Sequence, residues 1–157
     1  MIVAKNSYAH HLLDQQLQKG SLNRNYIAVL EGKLASSSGV LEFPIGKPVI
    51  DSNKRAVTAN GETAITKYQV INSTEDHTLV SVAMETGRTH QIRVHFSHIG
   101  HPLVGDTLYG RRSSAFTRQA LHSYQVSFLQ LDTNTPMTVT ADYPEDLKTL
   151  INSLALQ

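Results

Sequence analysis

The chain has 157 residues, 40 % of them apolar and 17 % charged, with a formal net charge of +1 and no cysteine. That composition belongs to one globular domain able to bury roughly two-thirds of its unfolded surface, and it excludes disulfides, thiolate metal sites and a disordered tail. No apolar run approaches the roughly 20 residues of a membrane span, and the opening MIVAK is too short for a signal-peptide core, so a reducing cytosol is the default expectation.

In chain order, Met1 to Ala4 is apolar and β-prone, which predicts that the sequence begins inside a strand. Asn6 or Ser7 then caps a helix carrying Leu12, Leu13 and Leu17, and Gly20 closes it. Asn25 to Glu31 (NYIAVLE) predicts a strand, followed by a loop rich in Ser, Gly and Pro. Thr63 to Ile71 and Thr78 to Glu85 predict a hairpin about the polar turn NSTED.

Thr89 to Ile99 predicts a helix, because Ile92, Phe96 and Ile99 share one face; Gly100 and Pro102 stop it. Ala120 to Leu131 and Met137 to Asp142 predict strands. Pro144 opens a last helix with Leu147, Leu150, Ile151 and Leu154 on its core side. A strand-heavy, mixed order of this kind predicts an α+β fold with a largely antiparallel sheet.

Donor chemistry concentrates in Glu85 to His95 (ETGRTHQIRVH). From Glu85 to Tyr124, five arginines face only Glu85 and Asp106, which leaves +3 in that window and −2 elsewhere. Arginine is the side chain suited to forked contacts with phosphate or carboxylate. A helix opening near Thr89 or His90, with Arg88 beside its free backbone N–H groups and Arg93 one turn on, is an anion site for either group. The plainer reading is a capped and solvated helix.

A metal centre is the rival. His95, His98 and His101 are spaced by three, with His90 nearby. Zinc needs three or four ligands, but HExxH is absent and Pro102 puts His101 past the helix end. Ser97 has histidine neighbours without a GxSxG elbow, so nucleophilic hydrolysis has less support still.

The stretch ETGRTHQIRVHFSHIGHPLVGDTLYG, Glu85 to Gly110, resembles the signature of the RluA-type family of RNA pseudouridine synthases. NRNYIAVLEG, the Gly39 to Pro48 segment, Ala64 to Val70, RQALHSYQVSF and TPMTVTADYPEDL extend the resemblance over nearly the whole chain. It implies a pseudouridine synthase fold, a mainly antiparallel sheet with flanking helices. It also implies an activity: a uridine is flipped out of structured RNA, its N-glycosidic bond is broken, and the uracil is turned and rejoined through carbon, with no cofactor and no metal.

Carried over by position, Tyr26 resembles the tyrosine that stacks on the target base, Arg93 the arginine that pairs with the catalytic aspartate, and Leu121 the apolar lining of the uracil pocket. Arg88, His90, Gln91 and Arg118 are implied to contact the RNA or to hold the turn. The expected partner is RNA, ribosomal or transfer.

The sequence departs from the family at its start. The family's aspartate lies in HRLDxxTSG, shortly before AKN, and here AKN is Ala4 to Asn6. None of the 13 carboxylates stands in that context. The expectation is therefore a partial catalytic domain over 1–157 with its N-terminal strands absent, inactive alone, either a non-catalytic RNA-binding remnant or a piece of a longer enzyme. An exposed sheet edge would favour a homodimer.

Overall fold

The structure is a computed structural model that describes residues 2–48, 54–114 and 116–156. It is α+β, as the patterning predicts. Six antiparallel strands lie in the order β2-β5-β6-β1-β7-β8. These are β1 (Asn23–Glu31), β2 (Ser38–Glu42), β5 (Ile65–Ser73), β6 (His77–Met84), β7 (Leu121–Leu129) and β8 (Pro136–Thr140). Two short strands, β3 (Ile45–Gly46) and β4 (Ala56–Val57), pair separately. The helices are α1 (Ser7–Gln18), α2 (Gln91–His98) and α3 (Glu145–Ser153).

β1 is central because both its faces are covered, so its IAVL run is continuously apolar rather than alternating. Ile27 and Val29 point into a core shared with Leu147, Leu150 and Ile151 of α3. Ala28 and Leu30 point into a second core with Ile92 and Phe96 of α2. The periodicity of α2 is thus answered by a sheet face, and Phe96 is fully buried against it.

Two expectations are corrected. Ile2 to Ala4 form no strand, and Met1 lies outside the described residues. A strand needs a ladder partner for its backbone groups, and here Ile2 and Ala4 instead line a cavity beside α1. The segment after β1, expected as loop, contains β2 and β3. Its Ser and Gly content hides a stretch, Ser38 to Glu42, that pairs residue for residue with β5.

The connection from α2 to β7 is not loose. Val104 N–H donates to Val29 O, and Ala120 N–H donates to Val104 O, so this loop runs as a short extra rung beside β1. Gly105 makes the approach possible: its φ is +73°, and a Cβ there would stand 2.3 Å from Arg118 O and 2.7 Å from Phe116 O. Gly105→Ala is therefore expected to cost more than the ~1–2 kcal/mol of a left-handed residue alone. Urea unfolding checks this; a loss within 1 kcal/mol would show that the loop is not held in this register.

Candidate active site

The site is built around the turn Thr86–Gly87–Arg88, which carries the chain from β6 into α2. Gln91 holds it. Its Oε1 accepts hydrogen bonds from Thr86 Oγ1 at 2.7 Å and Arg88 N at 3.0 Å, and its Nε2 donates to Ile65 O and Thr66 Oγ1, both at 2.9 Å. Gln91 is 2 % exposed, so its amide is occupied within the protein and it holds the turn. His90 closes the turn with a left-handed φ of 59°, which starts α2 at Gln91 rather than Thr89.

Arg93 lies two residues beyond Gln91 on α2. Its Nε and Nη2 donate to Asp106 Oδ2 and Oδ1 at 2.7 and 2.8 Å, a fork on a fully buried carboxylate. Asp106 Oδ1 also accepts the backbone N–H groups of Leu108 and Tyr109. The Arg93 guanidinium lies 4.9 Å from the centre of the Tyr109 ring. Tyr109 hydroxyl accepts the Arg55 N–H at 2.7 Å, which leaves its own hydrogen for His90 Nδ1 at 2.9 Å.

Burial alone would raise the Asp106 carboxyl. The Arg93 fork, the two backbone donors and the Arg93 charge outweigh it and hold the group below the usual carboxylate range. Burial pushes the His90 imidazole down, and the Arg93 charge adds to this, with Asp106 opposing. His95 is also lowered by burial, against a hydrogen bond to Phe43 O at 3.0 Å. A carbonyl only accepts, so Nε2 carries the proton and His95 is neutral, with Nδ1 buried and without a partner.

The histidines therefore face different tasks: His90 meets Tyr109, His95 meets Phe43 O, and His101 Nδ1 donates to Glu31 O at 2.9 Å. Among the described residues no three metal-ligating side chains converge.

Two cavities flank the turn. The larger, about 500 Å³, is lined by Tyr26 and Arg24 of β1, Ser123 and Val126 of β7, and His10, Leu13, Asp14 and Leu17 of α1, together with Ile2, Ala4 and Leu22. The smaller, about 370 Å³, is lined by Lys47, Arg55, Glu62 and Arg88 with Ile45, Gly46, Gly87 and Thr89. Gly87 is the partition: a Cβ there would stand 3.0 Å from the Arg24 guanidinium nitrogens.

The sequence-predicted residues fall in different places. Tyr26 lines the larger cavity, and Leu121 packs in the same apolar cluster, opposite Ala28 on β7 while Tyr26 faces Ser123. Arg88 lines the smaller cavity, pairs with Glu62 and donates from Nε to Thr63 O at 3.0 Å. Arg93 is on the walls of neither. Arg118 lies toward α3, forked onto Asp146 at 2.8 and 3.0 Å. Arg24 was missed by the sequence reading; the signal available was its position two residues before Tyr26, which on a strand shares a face.

The chain matches the model of the RNA pseudouridylate synthase family over residues 1–98, and it belongs to that family. It is 43 % identical over 152 residues to a Bacillus subtilis (strain 168) protein named uncharacterized RNA pseudouridine synthase YhcT, covering 96 % of this chain and 50 % of the relative. It is 41 % identical over 171 residues to ribosomal large subunit pseudouridine synthase D of Pseudomonas aeruginosa, covering 98 % of this chain and 52 % of the relative. The chain spans about half the length of the curated relatives it matches.

Among solved structures, human RNA pseudouridylate synthase domain containing 4 superposes with a TM-score of 0.79 at 22 % identity, over 99 % of this chain and 70 % of that one. Human RNA pseudouridylate synthase domain containing 1 gives 0.77 at 23 %, over 99 % and 74 %. These similarities show the fold. No described helix is long and apolar enough to cross a membrane.

Both shifted acids at the Arg93 network and in the core have the same consequence. His95 resists protonation in the folded state, so its contribution is present above about pH 6.5 and lost as pH falls through its lowered folded value. Asp106 contributes above about pH 4 and loses its contribution as pH falls through a folded value lower still. A thermal midpoint flat above pH 6.5 and declining below it is expected. Asp106→Asn should cost about 3 to 5 kcal/mol, because Arg93 keeps its charge without a partner. Arg93→Gln added to Asp106→Asn should recover part of that loss in urea unfolding. Losses that simply add would show that the two side chains are not coupled.

Proposed function

We propose that these 157 residues are the uridine-holding part of an RNA pseudouridine synthase catalytic domain. The observation that carries this is the arrangement of Tyr26 and Leu121. They sit on neighbouring strands of one sheet face, Tyr26 on the wall of the larger cavity and Leu121 in the same apolar cluster, where a flipped base would find an aromatic plane and an apolar wall. Tyr26 stacks on the base, since base–aromatic stacking contributes about 1–3 kcal/mol and tolerates an unstacked nucleotide. Leu121 lines the uracil side.

The glycosidic bond is broken and the uracil rejoined through carbon with the help of a catalytic aspartate. Among the described residues, the carboxylates near the site do not fit that role: Glu62 is exposed and paired with Arg88 at the smaller cavity. Asp106 is buried and held by four donors. Asp14 lines the Tyr26 cavity, but it stands on an exposed helix with its Oδ2 accepting from Gln18. We assign the acid to chain outside these residues. Arg93 then acts through the remaining N–H groups of its guanidinium, which the Asp106 fork orients without occupying Nη1.

Lys47, Arg55 and Arg88 of the smaller cavity, with His90 behind them, would follow the RNA backbone. Arg118 supports Leu121 by donating to its carbonyl oxygen at 3.2 Å. The relative named for the ribosomal large subunit supports ribosomal RNA as the substrate, ahead of transfer RNA. The outer strand β8 pairs with β7 on its inner side, is uncharged and exposes Val139; it is the edge through which a homodimer would form.

The test is complementation. The N-terminal half of the Bacillus subtilis relative is fused ahead of this chain, and bulk RNA treated with the fusion is digested and its nucleosides separated. Pseudouridine should form, and Tyr26→Ala, which removes the stacking ring, should lower its formation at limiting RNA by about 5- to 150-fold while Tyr26→Phe keeps the stacking contribution. A folded, RNA-binding fusion that forms none would refute the assignment.

A further inference from the structure

Arg24 is a cation without an ion-pair partner among the described residues, on the wall of the cavity that the half-buried Tyr26 also lines. Arg88, Arg93, Arg111 and Arg118 each pair with a carboxylate. Arg24 forms no such pair among the described residues. Its one hydrogen bond among the described residues, Nη2 to Thr86 O, is 3.4 Å long, at the weak limit of such contacts. Its Nε is buried with no partner. A buried, unsatisfied donor is costly, and more so on a charged group, so a site that keeps one is arranged for something that arrives later.

The surroundings specify what arrives. Arg24 and Tyr26 share a strand face about 7 Å apart and line the same 500 Å³ cavity, a size suited to a small ligand or a single nucleotide. Leu13, Leu17, Leu22 and Val126 give the cavity apolar walls. Gly87, without a Cβ, lets the guanidinium lie flat against the turn. Asp14 also lines the cavity; it is within ion-pair distance of neither Arg24 nor any other described cation, and it disfavours a second carboxylate there. A planar fork beside an aromatic plane matches a phosphodiester attached to a stacked base.

We propose that Arg24 is the phosphate anchor of this cavity, holding the phosphodiester that flanks the uridine whose base lies on Tyr26. This rests on the function proposed above and adds the group that fixes the nucleotide's position. Arg24 is a binding and positioning residue; it takes no proton.

The probe is a stem-loop RNA with one loop uridine, made also with each phosphodiester beside that uridine replaced in turn by a neutral methylphosphonate. Arg24→Gln should weaken binding of the native RNA about tenfold and lower the salt slope by about one. Neutralising one of the two linkages should weaken the parent chain similarly and leave Arg24→Gln unaffected. Arg24→Lys, which keeps charge without the fork, should fall between. A general folding defect would lower affinity for all the RNAs alike, so the cycle separates it from loss of a phosphate contact. Native-RNA affinity unchanged in Arg24→Gln, or the same further loss on every neutral linkage, would overturn the anchor while leaving the function standing. A parent chain with no salt-dependent affinity for any of these RNAs would overturn both.

Discussion

The Arg93–Asp106 pair ties helix α2, lying on one sheet face, to the loop that follows it and runs beside β1. Each of the other ion pairs described has at least one partner more than a third exposed. Exposed pairs contribute about 0–1 kcal/mol. Arg93 and Asp106 are 14 % and 0 % exposed, so their fork is where electrostatics decides structure. Desolvation of two charges is costly, and here it is offset by the fork, two backbone donors and the Tyr109 ring.

From that pair the rest of the site follows. Asp106 is aimed because Gly105 lets its loop lie against the backbone of Phe116 and Arg118. Arg93 is aimed because α2 starts at Gln91, whose amide ties the turn to β5. The same turn presents Gly87 to Arg24 and Arg88 to the basic cavity. One short strand-to-helix connection thus sets the geometry on both of its sides. The two walls differ in character: apolar and aromatic around Tyr26, basic around Arg55.

Much of the fold was legible in the sequence because its signals are local. The α2 face at Ile92 and Phe96, the hairpin about NSTED and the Pro144 helix start all depend on residues a few positions apart. What failed to show was non-local. β2 is composed like a loop and is a strand only because β5 pairs with it. The partner of Arg93 is 13 residues away and across a loop, and the partner of Arg118 is 28 away on α3. The resemblance pointed to Arg93 as the holder of a catalytic acid; the structure shows it already holding Asp106. Arg24, in a polar NRN run, looks like strand-end solvent exposure until the turn folds over it.

On the function proposed above, this chain holds a uridine but supplies no acid to act on it. The test is tritium release from RNA labelled at uridine C5, with the chain alone in stoichiometric amount. Bound RNA and no release is the expected result. Release by the chain alone would mean that one of its own carboxylates does the chemistry, and loss of that release in Asp14→Asn would place the acid on α1, in the cavity beside Tyr26.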